Sequence, residues 1–292
     1  MGRLTAVAQT GRVAPGKPIG VLCFGGDLPV ELAARALQAN QPVFMVGFRG
    51  FANPAIETYP HVWVKLGQIG RFFRVLRQNA IERIVIVGAL TRPSVRDLSL
   101  DWLGLWDLPR IIRMLRAGGD DSTLRRVVGY IEDRGVSVLG VSDIAPELLA
   151  GEGQLGRVAV GAEQENVAVG LALLDALSPF DIGQACIVLD RRPVAVEGVE
   201  GTDAMIRRVA ELRSNGRLRV KGSRGVMVKA AKRDQDLRVD LPTIGPRTIE
   251  LAAEAKLAGV AVEAGKALIA DRAETLKLAD RLGLFVVGVR RV

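Results

Sequence analysis

The chain has 292 residues, 49% of them hydrophobic and 25% charged, which is enough for two buried cores and too apolar for general disorder. The net charge of +8 suits anionic partners, but the arginines are dispersed and aromatic residues make up only 4%, which argues against a nucleic-acid surface. Two cysteines, Cys23 and Cys186, both lie in apolar runs; they exclude a disulfide framework or a CxxC zinc site and point to a reducing compartment.

Residues 1–17 read as a flexible tail, broken by Gly11, Pro15 and Gly16 and lacking the apolar core of a secretory signal. Apolar runs such as Ile84–Leu90 are too short to span a bilayer, so a cytoplasmic protein is expected. Ile19–Phe24 reads as a buried strand, Gly25-Gly26-Asp27 as a tight turn and Leu28–Asn40 as a helix with Pro29 in its first turn. Pro42–Gly47 completes a βαβ opening, which predicts a parallel sheet with a ligand crevice at the strands' carboxyl ends. Strands are then expected at Val62–Lys65, Arg83–Val87 and Val136–Val141, with helices at Ile69–Asn79, Leu108–Ala117 and Asp121–Arg134. The first domain is expected over 18–145, and the glycine-rich stretch 146–160 reads as a linker. Over 161–292, helices are expected at Glu163–Leu177, Asp203–Asn215, Pro246–Ala258 and Arg272–Leu282. Strands are expected at Ala185–Leu189, Pro193–Val196, Gly225–Ala230, Val260–Glu263, Ala267–Ile269 and Leu284–Val289. The fold class is α/β: an amino-terminal Rossmann-like parallel-sheet domain and a carboxyl-terminal mixed-sheet α/β domain.

Two motif matches lack their structural context. Gly151-Glu152-Gly153-Gln154-Leu155-Gly156 fits G-x-G-x-x-G, yet no predicted strand precedes it and no helix starts on it. Gly11 to Lys17 resembles a phosphate loop, but Pro18 stands where a hydroxyl would hold magnesium. The single histidine, His61, cannot form a two-histidine metal site. The turn Gly25 to Pro29 could receive a phosphate on backbone N–H groups or serve as a plain turn. Thr91-Arg92-Pro93 follows a buried strand, where an arginine can grip phosphate with two hydrogen bonds. Gly118-Gly119-Asp120-Asp121 pairs two carboxylates at a helix start, as a cap or a cation site. The segment Glu197-Gly198-Val199-Glu200-Gly201-Thr202-Asp203 brings three carboxylates to a strand–helix connection. Asp240-Leu241-Pro242-Thr243-Ile244-Gly245 leads into a helix; from residue type alone Asp240 reads as a cap or as a magnesium ligand beside phosphate oxygens.

These segments together resemble the two-domain, metal-dependent UDP-2,3-diacylglucosamine pyrophosphatases of lipid A biosynthesis. The resemblance runs from about residue 18 onward. It rests on Gly25 to Pro29, Gly67-Gln68-Ile69-Gly70, Gly88 to Pro93, Gly118 to Asp121, Asp181-Ile182-Gly183-Gln184, Val196 to Arg208 and Asp234 to Thr248. Glu200-Gly201-Thr202-Asp203 and Arg238 to Gly245 are its most specific parts. Departures are Cys23 and Phe24, where the family often has small residues, and Asp27, an acid that repels phosphate unless a cation intervenes. The resemblance implies magnesium-dependent hydrolysis of the UDP-linked diacylated sugar to UMP and 2,3-diacylglucosamine 1-phosphate, with Asp240 the essential aspartate. Asp240, Asp203 and Glu197 would serve the metal, Asp240 either holding it or orienting water. Gly26, Asp27, Leu28, Thr91, Arg92, Asp121, Gln184, Gly201, Thr202 and Lys229 would bind substrate. The resemblance also implies contact with the inner-membrane surface and allows a homodimer, with no nucleic-acid partner. A nucleotide-cofactor oxidoreductase and a non-catalytic nucleotide or lipid carrier are the alternatives.

Overall fold

The structure, a computed structural model, describes residues 16–88, 99–110, 112, 120–233 and 235–291, without the side chains of residues 120–122. The chain divides into two compact units, residues 1–106 with 131–145, and residues 107–130 with 146–292.

The first unit is built on β1 (Ile19–Cys23), β2 (Val43–Phe48), β3 (His61–Val64), β4 (Arg83–Val87) and β5 (Ser137–Leu139), all parallel, in the order β3-β2-β1-β4-β5. Its central strand, Ile-Gly-Val-Leu-Cys, is buried at every position. That is why it reads as a continuous apolar run rather than an alternating one. Two helices, α1 (Leu28–Gln38) and α2 (Ile69–Gln78), bury one face each; α2 does so with Phe72, Phe73, Val75 and Leu76. A short helix, α3, covers Trp102–Trp106. The strand order reverses at β1 and β4, and there the chain needs glycine. Gly88 has φ 104°, and a Cβ on it would sit 2.6 Å from the Gly25 carbonyl oxygen. The turns after β1 and β4 therefore meet backbone to backbone, at the crevice expected of this topology.

The second unit begins with α4 (Asp120–Glu132), most of which groups with it, and continues through β6 (Gly153–Gln154) and α5 (Gln164–Leu177). Next come β7 (Ala185–Leu189), β8 (Arg192–Val196), α6 (Thr202–Ser214) and β9 (Val226–Lys229). The rest is β10 (Thr243–Ile244), α7 (Pro246–Glu254), β11 (Gly259–Glu263), β12 (Leu268–Ile269), α8 (Arg272–Leu282) and β13 (Phe285–Val289). Six strands form one mixed sheet in the order β6-β13-β11-β9-β7-β8, and β10 pairs with β12. The three central strands β13, β11 and β9 are parallel, while β7 runs antiparallel to β9 and β8 to β7. The carboxyl ends of β8, β9 and β11 and the amino end of β7 therefore share one edge, with Ala185 opposite Lys229 and Val262 opposite Lys229. Apolar residues of α6, α7 and α8 pack on one face of the sheet, and α5 packs on the other. The approach of α5 is close: a Cβ on Gly170 would lie 2.4 Å from Val228 Cγ2. Residues 146–160, expected as a linker, carry a 3-10 turn at Pro146–Leu148 and edge strand β6 on β13. Gly151 to Gly156 thus lies around an edge strand, and no helix opens on it.

Inside this sheet Gly259 lies opposite Phe285, and a Cβ would sit 2.3 Å from the Phe285 ring and 2.5 Å from its carbonyl oxygen. Gly259→Ala is expected to destabilise the protein by roughly 1–3 kcal/mol through overpacking. Chemical denaturation checks this, and an unchanged midpoint would show that β11 and β13 have room to part.

Candidate active site

The shared edge of the second sheet collects polar side chains that sequence spacing scatters over more than sixty residues. Lys229, the last residue of β9, is only 8% exposed. Its Nζ donates to Thr202 Oγ1 at 3.0 Å and to the Thr243 carbonyl oxygen at 3.1 Å. Thr202 is the first residue of α6, reached through Gly201 at φ 80°, a backbone angle natural to glycine. Its hydroxyl donates onward to Glu197 Oε1 at 2.6 Å, so one oxygen both accepts from the lysine and donates to the carboxylate. Glu197 Oε2 accepts the Gln184 backbone N–H at 3.1 Å. This link explains the glycine of Asp181-Ile182-Gly183-Gln184. A Cβ on Gly183 would lie 2.3 Å from the Glu197 carbonyl oxygen, so only glycine lets these two segments touch.

Asp240 enters through a second relay. Gln235 Nε2 donates to Asp240 Oδ2 and, at 3.4 Å, to Gln184 Oε1. The loop between β9 and β10 is shaped by Asp236, whose carboxylate accepts from Arg238 Nε at 2.9 Å and from Arg238 Nη2 at 2.8 Å. The same guanidinium holds the Asp236 carboxyl below the usual carboxylate range. The Asp236 carbonyl oxygen accepts the Asp240 N–H at 3.1 Å, which sets where Asp240 leaves the turn.

Burial pushes the Lys229 pKa below its ordinary value of 10.5, and the nearby charges of Glu197, Asp240 and Asp203 act against that shift. The edge therefore holds a buried amine facing three carboxylates, beside the start of a 13-residue helix whose first N–H groups favour anions. Among the described residues no group of three or more His, Cys, Asp or Glu side chains is arranged to hold a metal ion. The donors show why: Glu197 spends both oxygens on Thr202 and Gln184, and Asp203 pairs with Arg207 at 3.4 Å and Arg247 at 3.6 Å. A cation held by one or two carboxylates together with phosphate oxygens is the mode this set can accommodate.

Of the residues singled out in the sequence, Gln184, Glu197, Thr202 and Lys229 share one hydrogen-bonded network; Asp240 joins it through Gln235, and Asp203 joins it electrostatically. Gly201 is the N-cap of α6. In the first unit Gly26 and Asp27 are exposed in the turn after β1, with Leu28 half-buried at the start of α1. Asp27 accepts a hydrogen bond from Asn53 Nδ2 at 2.6 Å. Thr91 and Arg92 lie outside the described residues, as does the side chain of Asp121 in α4. Sequence reasoning missed Gln235 and Arg247. Both lie within the stretch Asp234 to Thr248, but residue type alone marks neither: Gln235 acts on Asp240 within the same loop, and Arg247 on Asp203 at the start of α6. Both cysteines are buried, and burial pushes their thiols up to about 12, which disfavours the thiolate.

Comparison with known proteins adds to this geometry. Residues 18–148 match the family model of the LpxI N-terminal domain, and residues 151–287 match that of the LpxI C-terminal domain. The chain is also similar to the UDP-2,3-diacylglucosamine pyrophosphatase LpxI of Caulobacter vibrioides. The two are 39% identical over 274 residues, covering 94% of this chain and 98% of the relative.

The lowered Lys229 pKa has a signed consequence. Between its folded value and 10.5 the unfolded chain binds more protons at this group, so this group's contribution to stability rises with pH across that window. Lys229→Met is expected to remove that rise. Urea denaturation of both proteins from neutral pH to about 10.5 measures it. Parallel stability curves would show that burial leaves this amine unperturbed.

Proposed function

The chain belongs to the LpxI family, and on that premise we propose that it hydrolyses the diphosphate of UDP-2,3-diacylglucosamine to UMP and 2,3-diacylglucosamine 1-phosphate in lipid A biosynthesis. The observation that carries this reading is the Lys229 amine, two of whose three protons go to Thr202 and Thr243, beside the helix start of α6. The third proton and the first N–H groups of α6 suit the phosphoryl oxygens of a diphosphate. Lys229 and the α6 start bind and orient the diphosphate, and Gln184 and Thr202 line the same network. Water attacks the sugar-side phosphorus; the bond from that phosphorus to the bridging oxygen breaks, and the bridging oxygen leaves with UMP.

Asp240 is the residue on which the step turns. Gln235 fixes one of its carboxylate oxygens, and the carboxylate either orients the attacking water and takes its proton or meets a divalent cation carried by the diphosphate. Such a cation, magnesium by preference, supplies charge neutralisation and polarises the phosphoryl group. Asp240 would be the first carboxylate to hold such a cation, and Asp203 would be the next once released from Arg207 and Arg247. The diacylated substrate resides in a membrane. No helix among the described residues is long and apolar enough to cross one. A net charge of +8 favours docking on anionic headgroups at the inner-membrane surface instead.

The test is a hydrolysis assay on UDP-2,3-diacylglucosamine. UMP release is expected with magnesium and is lost with chelator. Asp240→Ala is expected to lower turnover by about 10²–10⁴-fold while leaving the fold intact. Near-normal turnover by that variant would overturn the assignment. Titrating magnesium separates the two roles of Asp240: raised metal demand in Asp240→Glu marks a ligand, unchanged demand with lower turnover marks a base.

A further inference from the structure

The loop that carries Asp240 is held from outside the site by residues the proposed chemistry does not use. Beyond Lys229 the chain leaves the sheet at Ala231. The Ala231 N–H donates to Glu263 Oε2 at 3.1 Å, and the Ala231 carbonyl oxygen accepts from Arg291 Nη1 at 2.6 Å. Arg291 lies two residues past β13 and outside the stretch matched by the family model. Its side chain is 10% exposed and that of Glu263 is 2% exposed, and the two pair at 3.3 Å. Arg291 Nη2 also pairs with Asp175 of α5, which accepts from Arg233 Nε at 3.0 Å. These guanidinium partners keep the Asp175 carboxyl below its usual range, Arg233 contributing most.

The peptide between Ala231 and Lys232 turns this scaffold into a relay. Its carbonyl is the group Arg291 holds, and its N–H donates to Gln235 Oε1 at 2.8 Å. A peptide unit is planar, so fixing the carbonyl fixes the direction of the N–H. That N–H orients the Gln235 amide, with Oε1 towards Lys232 and Nε2 towards Asp240. We propose that Arg291 is a positioning residue: through the Ala231–Lys232 peptide and Gln235 it fixes the carboxylate of Asp240. This inference rests on the function proposed above.

Arg291→Ala frees the peptide plane while leaving Lys229 and the α6 start in place. Turnover is expected to fall about 10- to 100-fold, as for a small misplacement of a reacting group, with KM changed less than about 2-fold. Arg291→Lys, which keeps one donor for the Ala231 carbonyl, is expected to recover part of the loss. In a Gln235→Ala background the same Arg291→Ala change is expected to cost little more, because the relay is already cut. Full additivity, or a loss confined to KM, would overturn the proposal. Amide hydrogen exchange provides a readout that needs no turnover. The Lys232 N–H is expected to exchange about tenfold faster in Arg291→Ala, the loss of roughly one hydrogen bond, with β11 unchanged. Unchanged Lys232 exchange sinks the relay even in an active enzyme. A wild-type protein that releases no UMP sinks the functional reading, and the exchange result still decides whether Arg291 holds this peptide.

Discussion

A buried lysine amine needs partners, and the site of the second unit is organised by that need. Removing Lys229 from water carries a large cost that hydrogen bonds and opposite charges must offset. Thr202 and Thr243 supply the bonds, and Glu197, Asp203 and Asp240 supply the charges. These five partners arrive from four segments: the connection after β8, the start of α6 with both Thr202 and Asp203, the loop after β9 and strand β10. The protons of the amine therefore organise this edge. The amine draws four segments to one sheet edge and leaves a directed positive charge there.

The carboxylates around it are already committed in ways that limit what they can do. Glu197 is a structural acceptor, bonded at both oxygens, and so belongs to the frame of the site. Asp203 is tied to two arginines. Asp240 Oδ2 accepts from the Gln235 amide, and its charge is one of those acting on the Lys229 amine. A divalent cation, as proposed above, would need no resident cage, because a diphosphate would bring most of the oxygen ligands.

Much of the fold was legible because its strands are short apolar runs between glycine or charged breaks. Arg83–Val87 and Arg272–Leu282 are found where their spacing puts them, and Ile19–Phe24 and Leu284–Val289 differ by one residue at an end. Residues 146–160 were harder. A two-residue edge strand such as β6 has too few positions to show periodicity, and it forms because β13 offers an open edge. The site was half legible. Asp240, Lys229 and the Glu197 to Asp203 segment carry chemically marked residues at element ends. Gln235 and Arg291 do not: the first acts through an amide, and the second through a backbone carbonyl sixty residues earlier in the chain. Arg291 meets its carbonyl only through tertiary packing, whereas Gln235 works within one short loop, between Lys232 and Asp240.

The central claim is that the diphosphate is bound at the Lys229 edge of the second unit. A crystal structure of the Asp240→Ala protein holding uncleaved UDP-2,3-diacylglucosamine tests it most directly. The account predicts a phosphoryl oxygen within hydrogen-bonding distance of Lys229 Nζ and of the first N–H groups of α6. A diphosphate seated away from both, with Lys229 still bonded only to Thr202 and Thr243, would contradict it.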